Sequence, residues 1–203
     1  MQDFSRPIPL AHYALLAVAV LGCFFLGIGG FPLFDLDEGA FSEATREMLA
    51  SGNYLSTTLN GEPRYDKPIL IYWLQAASAS LFGINEFAFR LPSALAGSGW
   101  VILTYLFVRR AASDRQALAA GIITASALAV SIIVKVATAD ALLNLLISAT
   151  LFSAYLFLRL HERKFLYLAF VAMGLGFLTW STLIFNKSTA RRVVLIPMTK
   201  SAR

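Results

Sequence analysis

PILIYWLQAASASLFG, residues 68–83, is the stretch on which the topology turns. It is mostly apolar, yet Gln75 sits near its middle, Ser78 and Ser80 follow, and it is short for a membrane span. A helix needs about 20 apolar residues to cross ~30 Å of hydrocarbon. Whether this run crosses decides the side on which everything after it lies. If it does not cross, the loop with Arg109, Arg110 and Arg115 and the loop with Arg159, Arg163 and Lys164 share a side with the N-terminus. The positive-inside rule makes that side cytoplasmic. If it does cross, all six basic residues move outside. The charge pattern therefore predicts a helix lying at or against the membrane, started by Asp66 or Lys67 as cap with Pro68 in its first turn.

Working outward, the chain is built for lipid. Hydrophobic residues make up 58% of the 203 and charged residues 14%, with a mean hydropathy of +0.67, against about a quarter charged in a soluble domain. Apolar runs long enough to span fall at 10–29, 88–108, 116–134, 141–158 and 165–181, which predicts an all-α membrane protein with about five transmembrane helices. The first run is read as retained rather than cleaved, because its flank carries only Arg6 and no small-residue cleavage pattern is clear after Gly30. The net charge of +5 lies in flanks of apolar runs, not on an interleaved basic and aromatic surface, so a nucleic-acid binder is excluded. Cys23 is the single cysteine, which rules out an intrachain disulfide. His12 and His161 lie far apart in the chain, and neither is expected to serve a metal site or a triad.

The segment between the first two spans, about 30–87, then faces the exterior and holds eight of the twelve acids. Within it, Gly39 to Ser51 reads as an amphipathic interfacial helix, with Phe41, Ala44 and Met48 on one face and Glu43 and Glu47 on another. Just before it stand Asp35, Asp37 and Glu38. Two readings of that cluster are compatible: carboxylates placed at the positive end of a helix, with Asp37 as cap, and carboxylates kept at a membrane edge for chemistry. A second group, RYDKP, brings Arg64, Tyr65, Asp66 and Lys67 to the same side. A third, KVATADALLN, brackets the external turn between the third and fourth spans with Lys135 and Asp140, the latter a capping candidate in its own right. Three acid-or-base groups from separate parts of the chain at one membrane depth point to an active site.

DEGAFSEATREMLASGNY, then NGEPRYDKPILIYWL and FGINEFAFRLPSALAG, resembles the N-terminal part of the membrane core of the GT-C glycosyltransferases that use polyprenyl-phosphate sugars, the family of the lipid A aminoarabinose transferases and protein O-mannosyltransferases. The resemblance covers about residues 8 to 179. It implies two juxtamembrane helices in the first external loop, and an inverting glycosyltransferase of the bacterial inner membrane with its active face periplasmic. By the same resemblance, Asp37 is the catalytic base, Asp140 is the second acidic position, and Lys67 contacts the lipid-linked phosphate. Arg64, Glu38 and Tyr65 join Lys67 as substrate-binding candidates. Asp66 stands where the family often has Glu, which leaves a divalent-metal-ligand role open. The implied donor is a polyprenyl-phosphate sugar, and the implied acceptor is lipid A, another glycolipid or a protein. A rival reading is a non-catalytic membrane module that binds lipid carriers or assists a full-length enzyme. The motif match is lost near Trp180, so residues 1–181 are expected to be a partial transferase domain. The basic tail, 182–203, is expected to be foreign to the fold through truncation or frameshift, which would leave the isolated chain inactive.

Overall fold

The computed structural model describes residues 7–34, 37–64, 67 and 69–179. Among these residues eight α-helices dominate: α1 Leu10–Val20, α2 Asp37–Ser51, α3 Leu70–Phe82, α4 Glu86–Ala111, α5 Asp114–Ser126, α6 Leu128–Val134, α7 Asp140–Leu160 and α8 Arg163–Phe177. After α1 the helix widens into a π-turn over Leu21–Phe25, where the Leu26 N–H reaches back five residues to the Leu21 carbonyl at 3.0 Å. Local chemistry sets several starts. Asn85 caps α4 by accepting from the Ala88 N–H at 2.9 Å, and Ser113 caps α5 by accepting from Gln116 N–H.

A short hairpin, β1 Thr58–Leu59 and β2 Glu62–Pro63, follows α2 and pairs antiparallel, Thr58 with Pro63 and Leu59 with Glu62. Its turn is Asn60-Gly61, both at positive φ (55° and 77°), which suits a two-residue hairpin turn. Glu47 of α2 ties the hairpin down, accepting from the Thr58 hydroxyl and from the Gly61 N–H.

The core is built on α4, which packs against α3, α5, α6 and α7. Small residues let the backbones approach. A Cβ on Gly97 would stand 2.3 Å from Val134 Cγ2, and one on Gly121 2.7 Å from Leu16 Cδ2. This is how helices associate in lipid, where apolar surface alone gives no preference for another helix over acyl chains.

The chain shuttles between two ends. At one, Arg109 near the end of α4 donates to Asp114 at the start of α5 (2.9 Å) and to the Pro7 carbonyl before α1 (3.3 Å). The other end gathers the close of α1, all of α2 and α3, the start of α4 and the turn from α6 to α7. The end of α8 joins them, because the Leu70 N–H bonds to the Leu178 carbonyl at 3.2 Å. The six basic residues of the sequence argument flank the helix ends of the first group, and the acids lie in the second.

Among the described residues fewer helices qualify as spans than the five expected. By length and apolarity α4 and α7 qualify, and α5 with α6 makes a third if the pair is one span bent by 60°. Leu10–Phe25 and Leu70–Phe82 are shorter apolar helices, and α8 has 15 residues. The bend arises without proline or glycine. Ala127 adopts extended dihedrals (φ −62°, ψ 125°), while the Ser126 hydroxyl donates to the Ile122 carbonyl and Ser131 to that of Ala125. Serine hydroxyls satisfy carbonyls around the break, a recognised cause of kinks.

Two helix starts also differ from the sequence reading. α2 begins at Asp37, not Gly39, so Asp37 is a first-turn residue rather than a cap. α3 begins at Leu70, preceded by Ile69 with no side-chain cap, and Lys67 lies outside it. Asp66 and Pro68, the other residues expected to start that helix, lie outside the described residues.

Candidate active site

The acidic end is organised by one buried ion pair. Glu38 is 1% exposed and Arg90 fully buried, and they meet through two bonds, Nε to Oε1 at 2.8 Å and Nη2 to Oε2 at 2.9 Å. Such a pair is costly to desolvate unless its remaining donors and acceptors are met, and here they are. Arg90 donates its other N–H groups to the carbonyls of Ile28, Phe31 and Pro32 at 2.8–2.9 Å, and its guanidinium stacks on the Phe31 ring. Glu38 accepts the Phe34 N–H at 2.9 Å and the Ala137 N–H at 2.7 Å. Burial alone would raise the Glu38 pKa, but the Arg90 bonds, the two backbone donors and the Arg90 charge together hold it below the ordinary 4.5.

Gln75, the polar residue inside the ambiguous apolar run, is fully buried and completes the frame. Its amide donates to the carbonyls of Phe89 (3.3 Å) and Ala137 (3.1 Å) and accepts the Thr45 hydroxyl of α2 (2.8 Å). Ala137 is therefore held at its N–H by Glu38 and at its carbonyl by Gln75. Next to it, the Ser93 hydroxyl of α4 holds the Thr138 carbonyl at 3.0 Å.

Two exposed carboxylates ride on this frame. Asp37 precedes Glu38 in the first turn of α2 and faces solvent. Asp140 opens α7, three residues after Ala137, also exposed. Its Oδ2 accepts the Thr138 hydroxyl at 3.0 Å. Through the bond from Ala137 to Glu38, the first turn of α2, which bears Asp37, is set against the turn that leads into Asp140. Asp140 is not the helix cap considered above, since Ala139 precedes α7 and no side chain caps it.

The cations divide. Arg64 is half-buried, pinned by its N–H to the Thr57 carbonyl (2.9 Å) and by its own carbonyl, which accepts the Thr57 hydroxyl (2.6 Å). Its guanidinium lies 5.6 Å from the centre of the Phe41 ring, one turn along α2 from Asp37, and Phe41 in turn stacks on Tyr72. The Arg64 Nε is buried without an acceptor. Lys67 is exposed, between the hairpin and α3. Lys135, by contrast, is engaged, its Nζ donating to the Leu26 carbonyl at 3.1 Å.

Glu38 requires a correction. Offered above as a substrate-binding residue, it is instead interior, with both oxygens spent on protein donors. Tyr65 and Asp66 lie outside the described residues. Among the described residues no group of three or more His, Cys, Asp or Glu side chains could hold a metal, and Glu38 is committed to Arg90. The sequence alone gives Arg90, Gln75 and Ser93 no site role. The signal was present, since an arginine at the head of an apolar helix and a glutamine inside an apolar run both need partners.

Two cavities flank the site. One of about 340 Å³ opens between α2 and the start of α4, lined by Ser42, Glu43, Arg46, Asn85 and Glu86 among others. An apolar one of about 310 Å³ lies between α7 and α8, lined by Leu143, Ile147, Leu151, Met173 and Phe177 among others.

Residues 66–197 match the family model described as dolichyl-phosphate-mannose-protein mannosyltransferase. That match runs on through most of the basic tail. The chain is similar to an undecaprenyl phosphate-alpha-4-amino-4-deoxy-L-arabinose arabinosyl transferase of Aeromonas salmonicida, 35% identical over 153 residues, covering 73% of this chain and 28% of that one. A counterpart from Pseudomonas fluorescens is 30% identical over 176 residues, 82% and 32%. Among solved structures, ArnT of Cupriavidus metallidurans bound to undecaprenyl phosphate superposes with a TM-score of 0.79 at 25% identity, over 85% of this chain and 33% of that one. The chain thus spans about a third of the length of the relatives it matches. The match over most of its length, with the shared helical fold, establishes that this integral membrane protein belongs to the dolichyl-phosphate-mannose-protein mannosyltransferase family.

Proposed function

We propose that this chain carries the acid-bearing end of a glycosyltransferase that moves a sugar from a polyprenyl-phosphate donor to a hydroxyl of lipid A, another glycolipid or a protein. The observation that supports this reading is the Glu38 to Ala137 bond, which sets the helix turn bearing Asp37 against the turn that leads into Asp140, both carboxylates being exposed. Arg64 and Lys67 supply cations on the same end. The relatives' names speak for an aminoarabinose-type donor and the charge pattern for an external, periplasmic site in the inner membrane.

The chemistry is a single displacement. The acceptor oxygen gives its proton to Asp37 as it bonds to the anomeric carbon. The bond from that carbon to the phosphate oxygen breaks, and its electron pair leaves on the polyprenyl phosphate, whose negative charge Lys67 and Arg64 stabilise. One displacement inverts the anomeric centre. Asp140 orients the acceptor, and the apolar space between α7 and α8 suits the donor's prenyl chain.

The test is transfer from undecaprenyl-phosphate aminoarabinose in reconstituted membranes. Asp37→Asn, which keeps size and removes the base, is expected to lower transfer about 10²-fold or more with donor binding retained. Near-normal transfer by that variant would defeat the assignment. Because the chain spans about a third of its relatives, the assay is run with the chain joined to the remaining length of a relative, and donor binding without any transfer there would instead favour a lipid-carrier-binding module.

A further inference from the structure

We propose that Glu38, Arg90 and Gln75, with Ser93, are positioning residues that set the register of α2 against α7 and thereby the placement of Asp37 relative to Asp140; this rests on the transferase reading above. A buried ion pair is poor evidence for stability by itself, since an apolar pair of like volume is often as stable or more so. Its cost is better understood by what it holds. All of its bonds outside the pair go to backbone groups of two irregular segments, 28–34 and the turn at Ala137. Backbone in such segments has no helical partner of its own, so without these side chains it would lack a defined place beside the helices.

The geometry is specific to the acids. Glu38 is covalently next to Asp37, so a bond from Glu38 to Ala137 fixes the first turn of α2 against the turn that leads directly into Asp140. Gln75 supplies a second restraint on the same residue, at the carbonyl of Ala137, and through Thr45 it ties the middle of α2 to the same point. Two restraints along α2, at Glu38 and Thr45, fix both its position and its rotation about its axis. The Ser93 bond to Thr138 adds a third to the turn, and Thr138 then orients the Asp140 carboxylate. Displacement of a reacting group by about 1 Å can cost 10²-fold in rate. The network therefore acts on turnover through the acids and touches no substrate itself.

The experiment uses the graded series Ser93→Ala, Gln75→Met and Glu38→Gln, so that a poorly folding member leaves milder ones. Two readouts are taken. In a Cys23→Ala background with cysteines at 37 and 140, bifunctional thiol reagents of increasing span report the separation of the two positions without requiring activity. We expect one span to dominate in the parent and the profile to broaden across the series. In the enzyme with both acids intact, we expect kcat to fall about 10-fold for Gln75→Met and further for Glu38→Gln, with the donor KM changed less than about twofold. Unchanged cross-linking and unchanged kcat, with only thermal stability reduced, would overturn the proposal and leave the network a structural one. If Asp37→Asn retains transfer while cross-linking broadens in Gln75→Met, the role given to Asp37 fails and the setting of helix register stands.

Discussion

Among single residues, Glu38 and Asp37 show how one step along a helix separates structure from chemistry. Glu38 points inward onto Arg90 and Ala137, while its neighbour points to solvent. Because the Glu38 pKa is lowered on folding, its contribution to stability is complete above the unfolded value near 4.5 and is lost as pH falls through the lower folded value. The thermal midpoint in detergent should therefore hold steady at neutral pH and fall in the acid range below 4.5, with Glu38→Gln showing a lower midpoint and a shallower acid decline. Arg90→Met strands the carboxylate in the interior, and a loss of about 3–5 kcal/mol is expected in a reversible unfolding assay. Lys67→Ala should weaken use of the lipid-phosphate donor, with Lys67→Arg restoring part of it because the guanidinium is larger and planar. If alanine leaves donor affinity intact, the phosphate is held elsewhere, Arg64 being the other candidate cation. The pair of acids was legible in sequence because carboxylates beside apolar runs demand explanation. Which one turns inward was not, since that depends on Arg90, 52 residues away.

Elements differ in how much of them local sequence determines. The buried face of α2, with Phe41, Ala44 and Met48, follows from helical periodicity, and the structure buries all three. The caps at Asn85 and Ser113 are likewise local. The break at Ala127 is not, because 116–134 reads as one continuous apolar run. α6 leaves that break to bring Val134 against Gly97 of α4, and this close approach can be tested. Gly97→Ala should overpack the site and cost about 1–3 kcal/mol, since its Cβ would meet both Val134 methyls within 2.8 Å. Val134→Ala in the same chain should recover much of the loss. A Gly97→Ala variant as stable as the parent would mean that α6 shifts freely against α4.

For the whole molecule, charge and apolar length decide the large features. The end that gathers the acids and the end flanked by basic residues match the division drawn from the six arginines and lysines alone. Cysteines placed at positions 60 and 112, in the Cys23→Ala background, should therefore react with impermeant reagents from opposite sides of the membrane, 60 from outside. Labelling of 112 from outside would invert the map. Hydropathy, charge asymmetry and periodicity are properties of local stretches, and they were enough to read a mostly helical membrane protein, a helix within 68–83 grouped with the acids, and an expected grouping of Asp37, Arg64, Lys67 and Asp140. The burial of Glu38, the bonds by which Gln75 and Arg90 hold the frame of the site, and the bend within 116–134 emerged from the folded arrangement alone. Each of those depends on which backbone groups from distant segments arrive as partners for a buried polar side chain, and that pairing is settled by packing.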